Sequence, residues 1–128
     1  MTATAVTLNT MSDLNKLKEL TWTAATADTN GLAEVFTFTP TGKRFLFLVD
    51  LTAGTSAIAG VTVTFSAGTL WAGQAIKDNA PRRKIYAIEV DTARVKGASG
   101  VVTVTIKPNM VDKLLSDHAC KVMAIDLI

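Results

Sequence analysis

Residues 60–65, GVTVTF, and residues 100–106, GVVTVTI, decide how this chain is to be read. Alternation with a period of two puts Val61, Val63 and Phe65 on one face of a strand and Thr62, Thr64 and Ser66 on the other. In the second stretch Val102, Val104 and Ile106 point inward, while Thr103, Thr105 and Lys107 meet water. Both read as half-buried β-strands, and their β-branched residues suit a pleated surface on either face. Pro108 ends the second run because it has no N–H to give a ladder. The residues flanking the two stretches do not repeat, so their likeness reflects similar strand environments and not a duplicated unit.

Working outward, Glu34 to Thr39 alternates with Phe36 and Phe38 inward, and Pro40-Thr41-Gly42 turns the chain. Lys43 to Thr52, KRFLFLVDLT, is apolar on both faces, with Phe45, Phe47, Val49 and Leu51 on one and Leu46 and Leu48 on the other. Such a strand belongs inside a sheet whose back is also covered. Gly54 to Gly60 is a loop, and Gly68 to Pro81 is a long connection with room for a short edge strand. Arg83 to Val90 is a strand with Tyr86, Ile88 and Val90 on one face, Thr92 to Val95 is a short pairing piece, and Gly97 to Gly100 is a hairpin turn. Asn109 to Ala119 is a connection with a helical turn around Leu114, and Cys120 to Ile128 is a second two-sided apolar strand.

Seven or eight short strands with little helix predict an all-β fold: an antiparallel β-sandwich, jelly-roll or immunoglobulin-like, over residues 31–128. The Cys-Trp-Cys hallmark of antibody domains is absent. Residues 1–30, rich in threonine and alanine, form an extended arm with a short helix at Ser12 to Leu20, where Ser12 is the N-cap and Leu14 and Leu17 share a stripe. The arm ends at the turn signal Asp28-Thr29-Asn30-Gly31.

At 128 residues the chain is one domain's worth. A charged fraction of 19% leaves few charges for a fully solvated surface, so part of that surface is expected to be covered by a partner. The net charge of +2 is too small for bulk attraction to a polyanion, and no nucleic-acid partner is expected. The single cysteine, Cys120, has no internal partner for a disulfide. The opening MTATAVTLNTMSDLNK lacks the basic and apolar regions of a secretory leader, and no apolar run approaches the roughly 20 residues of a membrane span. The expectation is a soluble protein made in a reducing cytosol, with no membrane partner.

Candidate chemistry is sparse. His118 and Cys120 share one strand face, but two ligands without a second pair make no zinc site, and with Asp117 they lack the geometry of a nucleophile and its base. Asp28 to Gly31 lacks the other oxygen ligands of a calcium loop, and Gly97 to Gly100 lacks the context of a phosphate cradle. No enzyme, no metal and no cofactor are expected. The candidate partner surfaces are the basic cluster Arg82, Arg83 and Lys84, flanked by Lys77, Arg94 and Lys96, and the apolar residues Leu14, Leu17, Trp22 and Trp71. Trp22, Trp71 and Tyr86 are also the aromatics available to a carbohydrate-binding sandwich.

The order of segments carries a resemblance. Behind a Thr/Ala-rich arm come GKRFLFLVDLTAG, GVTVTFSAGTLWAG, KIYAIEVDTARVKG, GVVTVTIKP and KVMAIDLI, and this succession from about Leu32 onward resembles the decoration or cement proteins of tailed-bacteriophage capsids. The resemblance implies a β-sandwich that binds the major capsid protein on the outside of an assembled shell, often as a trimer, and reinforces it. It implies a protein made in the bacterial host cytoplasm and ending in the virion. Neck, tail and fibre-associated domains share similar sandwiches and stand as alternatives. The two-sided strands KRFLFLVDLT and KVMAIDLI need cover on their second face, from the chain's own arm or from a neighbour's.

Overall fold

The computed structural model describes residues 3–11, 15–26, 32–54, 60–70, 74–109 and 120–127. Three short strands lie in the arm: β1 (Thr4–Ala5), β2 (Leu8–Thr10) and β3 (Thr23–Ala24). The body follows with β4 (Glu34–Phe38), β5 (Arg44–Asp50), β6 (Val61–Phe65), β7 (Ile76–Ala80), β8 (Ile85–Asp91), β9 (Val102–Pro108) and β10 (Lys121–Leu127). They form two packed sheets ordered β1-β4-β9-β6-β7 and β2-β10-β5-β8, with β3 also beside β10.

From β3 to β10 the pairings are nested. β3 pairs with β10, β4 with β9, β5 with β8 and β6 with β7, all antiparallel. This is one long hairpin, tipped by β6 and β7, rolled so that successive pairs fall alternately into the two sheets. Of the two sandwich topologies expected, it is the jelly roll. Rolling sets β6 against β9, so the two echoing stretches are neighbours: Val63 faces Ile106, Thr64 faces Thr105 and Phe65 faces Val104. Gly60 enters β6 with φ of 90°, and its missing side chain lets the backbone of Ala80 and Pro81 pack against it.

The inward faces meet in one core. Phe36, Phe38, Phe45, Phe47 and Phe65 are buried, with Phe38 against Phe45 edge-on at 5.1 Å and Phe47 against Phe65 edge-on at 5.3 Å. Edge-to-face contact sets the positive rim of one ring against the negative face of the next, adding about 0.5–1.5 kcal/mol per pair to the burial itself. Val61, Val102, Val104, Ile106, Val122 and Ala124 complete the layer.

Four expectations are corrected. The sheets are mixed and not purely antiparallel, because β1 runs parallel to β4 and β2 parallel to β10. Parallel neighbours need a connection of a dozen or more residues, which the chain between β2 and β4 supplies. The helix expected at Ser12 to Leu20 is not formed over its described part: Asn15 has φ of 60° and Lys16 to Leu20 are exposed and irregular. Two turns without tertiary cover are too short to hold. Thr92–Val95 is a single helical turn, α1, and not a pairing piece, since the Asp91 carboxylate accepts the Ala93 N–H at 3.1 Å and caps it. Gly97 to Gly100 is no hairpin, because β8 and β9 lie in different sheets. The short edge strand looked for between Gly68 and Pro81 is β7. The turn at Asp28 to Gly31 and the helical turn around Leu114 fall outside the described residues.

Candidate functional site

Buried polar side chains are where chemistry would start, and Asn9, Glu34, Asp50 and Asp126 each tie down a corner of the fold. Glu34 accepts from Thr26 N–H at 2.7 Å and Thr4 Oγ1 at 3.0 Å, joining two parts of the arm to β4. Asp126 accepts from Thr41 N–H and Gly42 N–H, both at 2.9 Å, and so caps the turn between β4 and β5. Asn9 uses both ends of its amide: Nδ2 donates to the carbonyls of Thr21 and Ala124 at 3.1 Å, and Oδ1 accepts the Thr21 N–H at 2.9 Å. Asp50 accepts from the Thr52 hydroxyl at 2.5 Å and N–H at 2.8 Å, with Lys121 Nζ 3.7 Å away. Burial works to raise the Asp50 carboxyl, but the two Thr52 hydrogen bonds and the Lys121 ammonium together hold it below its ordinary value.

Cys120 is buried, and that burial, with the Glu34 and Asp50 carboxylates, pushes its thiol up to about 12. A thiolate is therefore not available near neutral pH. His118, its suggested partner, lies outside the described residues. Among the described residues no three His, Cys, Asp or Glu side chains lie close enough together to hold a metal ion.

The structure separates the basic cluster. Arg82, Arg83 and Lys84 are exposed in the bend between β7 and β8, where Arg83 Nη1 donates to the Gly54 carbonyl at 3.0 Å and the Arg82 N–H to Tyr86 Oη at 3.0 Å. Arg94 and Lys96 follow β8 and lie at its opposite end. Leu17 projects fully into solvent, and Leu14 and Trp71 lie outside the described residues. Trp22 is half-buried beside β3, with Lys121 Nζ 5.9 Å from its ring centre. Tyr86 belongs to β8, at the other edge of the same sheet, so Trp22 and Tyr86 are not brought together for sugar stacking.

What the side-chain register does assemble is a contrast between the two outer faces. The β1-β4-β9-β6-β7 sheet turns Thr37, Thr62, Thr64, Thr103, Thr105, Lys77 and Lys107 outward. The β2-β10-β5-β8 sheet turns out Leu46 and Leu48, which pair across the strands with Ile125 and Met123. Met123 and Ile125 are buried yet stand outside the core, and Leu46 and Leu48 are half-buried. Sequence reasoning found the two-sidedness of β5 and β10 but not which face would remain outside, since that depends on which edge strands flank them.

Between the edges of β7 and β8, which no described strand pairs, the two sheets part into a small cleft of about 90 Å³, open to solvent, lined by Val63, Phe65, Ile76, Asp78, Tyr86 and Ile88. No periodicity in the sequence marks it, because it arises where, among the described residues, two edge strands lack a strand between them. No family model, curated protein or solved structure matches this chain.

Proposed function

We propose that the chain is a structural virion protein that docks on the outside of a bacteriophage capsid, against the major capsid protein, and reinforces it. The observation that carries this reading is the aliphatic outer face of the β2-β10-β5-β8 sheet, where Leu46 and Leu48 stay half-exposed beside Met123 and Ile125, which the chain itself already buries outside the core. Leucines left half-exposed on the outer face of an otherwise closed sandwich suit a protein that lies against another surface. The order of strand segments supports the same reading, and the buried carboxylates, each committed to a corner of the fold, suit a rigid part more than a catalyst.

The test is co-sedimentation of the purified protein with empty phage shells. Binding is expected, and Leu46→Glu with Leu48→Glu should abolish it while the circular dichroism of the fold is kept. Failure of the unsubstituted protein to bind shells, or retention of binding by the double variant, counts against the reading.

A further inference from the structure

Strand β8 pairs with β5 on one side only, and among the described residues nothing pairs with its other edge. Lys84 C=O accepts from Leu51 N–H and Thr92 N–H donates to Lys43 C=O, so even-numbered residues of this strand direct their peptide groups toward β5. By alternation the N–H and C=O groups of Ile85, Ala87 and Glu89 face outward from the free edge. Edge strands are ordinarily protected by charge, proline or brevity. Here the edge is seven residues long, its first four, Ile85-Tyr86-Ala87-Ile88, carry no charge, and Ile85 is 54% exposed.

The charges lie at the two ends, and they are opposite. Arg82, Arg83 and Lys84 precede the apolar stretch and Glu89 and Asp91 close it, in the order RRKIYAIEVD. An edge of this kind is complementary to itself when turned end over end. We infer that the outer edge of β8 is a self-association site, at which a second copy of this chain adds its own β8 antiparallel about a twofold axis at Ala87. In that register Arg83 faces Asp91 of the other copy twice, Tyr86 faces Ile88 twice, and the small Ala87 sits where the copies meet. The pairing joins the two five-stranded sheets into one of ten strands. It also carries apolar side chains of the second copy to the mouth of the β7/β8 cleft, whose wall includes Tyr86 and Ile88.

A twofold contact uses the same patch on both copies, whereas a threefold assembly uses two different patches. The size of the oligomer therefore separates this arrangement from the trimer implied by the phage resemblance, and neither result depends on whether the protein binds shells. At high micromolar concentration, light scattering on the full chain should return the mass of two chains. Ala87→Cys should cross-link across the axis on oxidation or with a short bismaleimide, since directly hydrogen-bonded neighbours have Cα atoms about 5.5 Å apart. Buried Cys120 is silent in this assay, and Thr64→Cys on the opposite outer face should not cross-link. A variant with Arg83→Glu, and a separate Asp91→Lys variant, should each dimerise at least about tenfold more weakly, and mixing the two should restore a heterodimer in which each of the two facing pairs is again of opposite charge. One-chain or three-chain mass, a dimer that Ala87→Cys does not cross-link, or charge variants that dimerise unchanged would each overturn the inference.

Discussion

The two flanks of the sandwich meet the same problem in different ways. On one flank the chain's own arm closes the gap: β1 adds to β4 in one sheet, β2 adds to β10 in the other, and Val6 between them is buried in the core. Glu34 and Asn9 fasten the arm from the two sheets. On the opposite flank β7 and β8 end their sheets, and the space between them is a cleft. The difference teaches that the arm is a structural part of the fold. An unpaired edge and an open seam are what the body has wherever such an arm is missing.

Removing residues 1–30 should break the contrast most severely, by giving the closed flank two bare edges, those of β4 and β10, and uncovering the core beside Val6. The loss should rival the whole stability of a domain this size, on the order of 5–15 kcal/mol, and the truncated chain should aggregate or lose its cooperative urea transition. Next in size, Asn9→Ala removes the buried amide that holds Thr21 and leaves the buried Ala124 carbonyl without that donor, and should cost about 1–3 kcal/mol in the same assay. The matching change on the open flank, Asp78→Ala, should cost less than about 0.5 kcal/mol, since its carboxylate is exposed. Equal losses at Asn9 and Asp78 would show that the flanks are not distinct.

The smallest expected effect is with pH, at the junction of β5 and β10. The Asp50 carboxyl is held below its ordinary value of 3.8 in the folded chain. A carboxyl depressed by folding stabilises the fold fully above the unfolded value, and that stabilisation fades as pH falls through the lower folded value. Stability should therefore decline below about pH 4, and Asp50→Asn should flatten that portion of the curve, as read by urea midpoints across acid pH. Cys120 gives a separate check on core closure, because its thiol should resist alkylation at pH 8 until the fold is opened by denaturant.

The body strands were legible because each is long enough to show its period. Val61–Phe65 and Val102–Pro108 alternate cleanly, and the two-sided runs in β5 and β10 announced central strands. The arm strands were not legible, since two or three residues such as Thr4–Ala5 have no period, and their pairing is set by edges far away in sequence. The stripe of Leu14 and Leu17 suggested a helix where Asn15 takes a left-handed conformation and the next turn is left in water. Propensity over two turns is a weak force beside tertiary contacts. The basic cluster read as one patch because its members are close in sequence, whereas β8 rises about 3.3 Å per residue and carries the later ones to its far end.

The nesting of the strands also dictates when the fold can exist during synthesis. The hairpin tip of β6 and β7 is available early, but every wider pair waits for a later strand: β8 for β5, β9 for β4, and β10 for β3. Strand β10 is flanked by β5 on one side and by arm strands on the other, so the last of these ten strands to be translated is the middle of its sheet. A nascent chain therefore holds Phe45, Phe47 and Val49 half-framed until residues 121–127 leave the ribosome, and pairings this distant along the chain form slowly. A ribosome that stalls before residue 121 yields a polypeptide lacking the central strand of one sheet, which cannot close the sandwich.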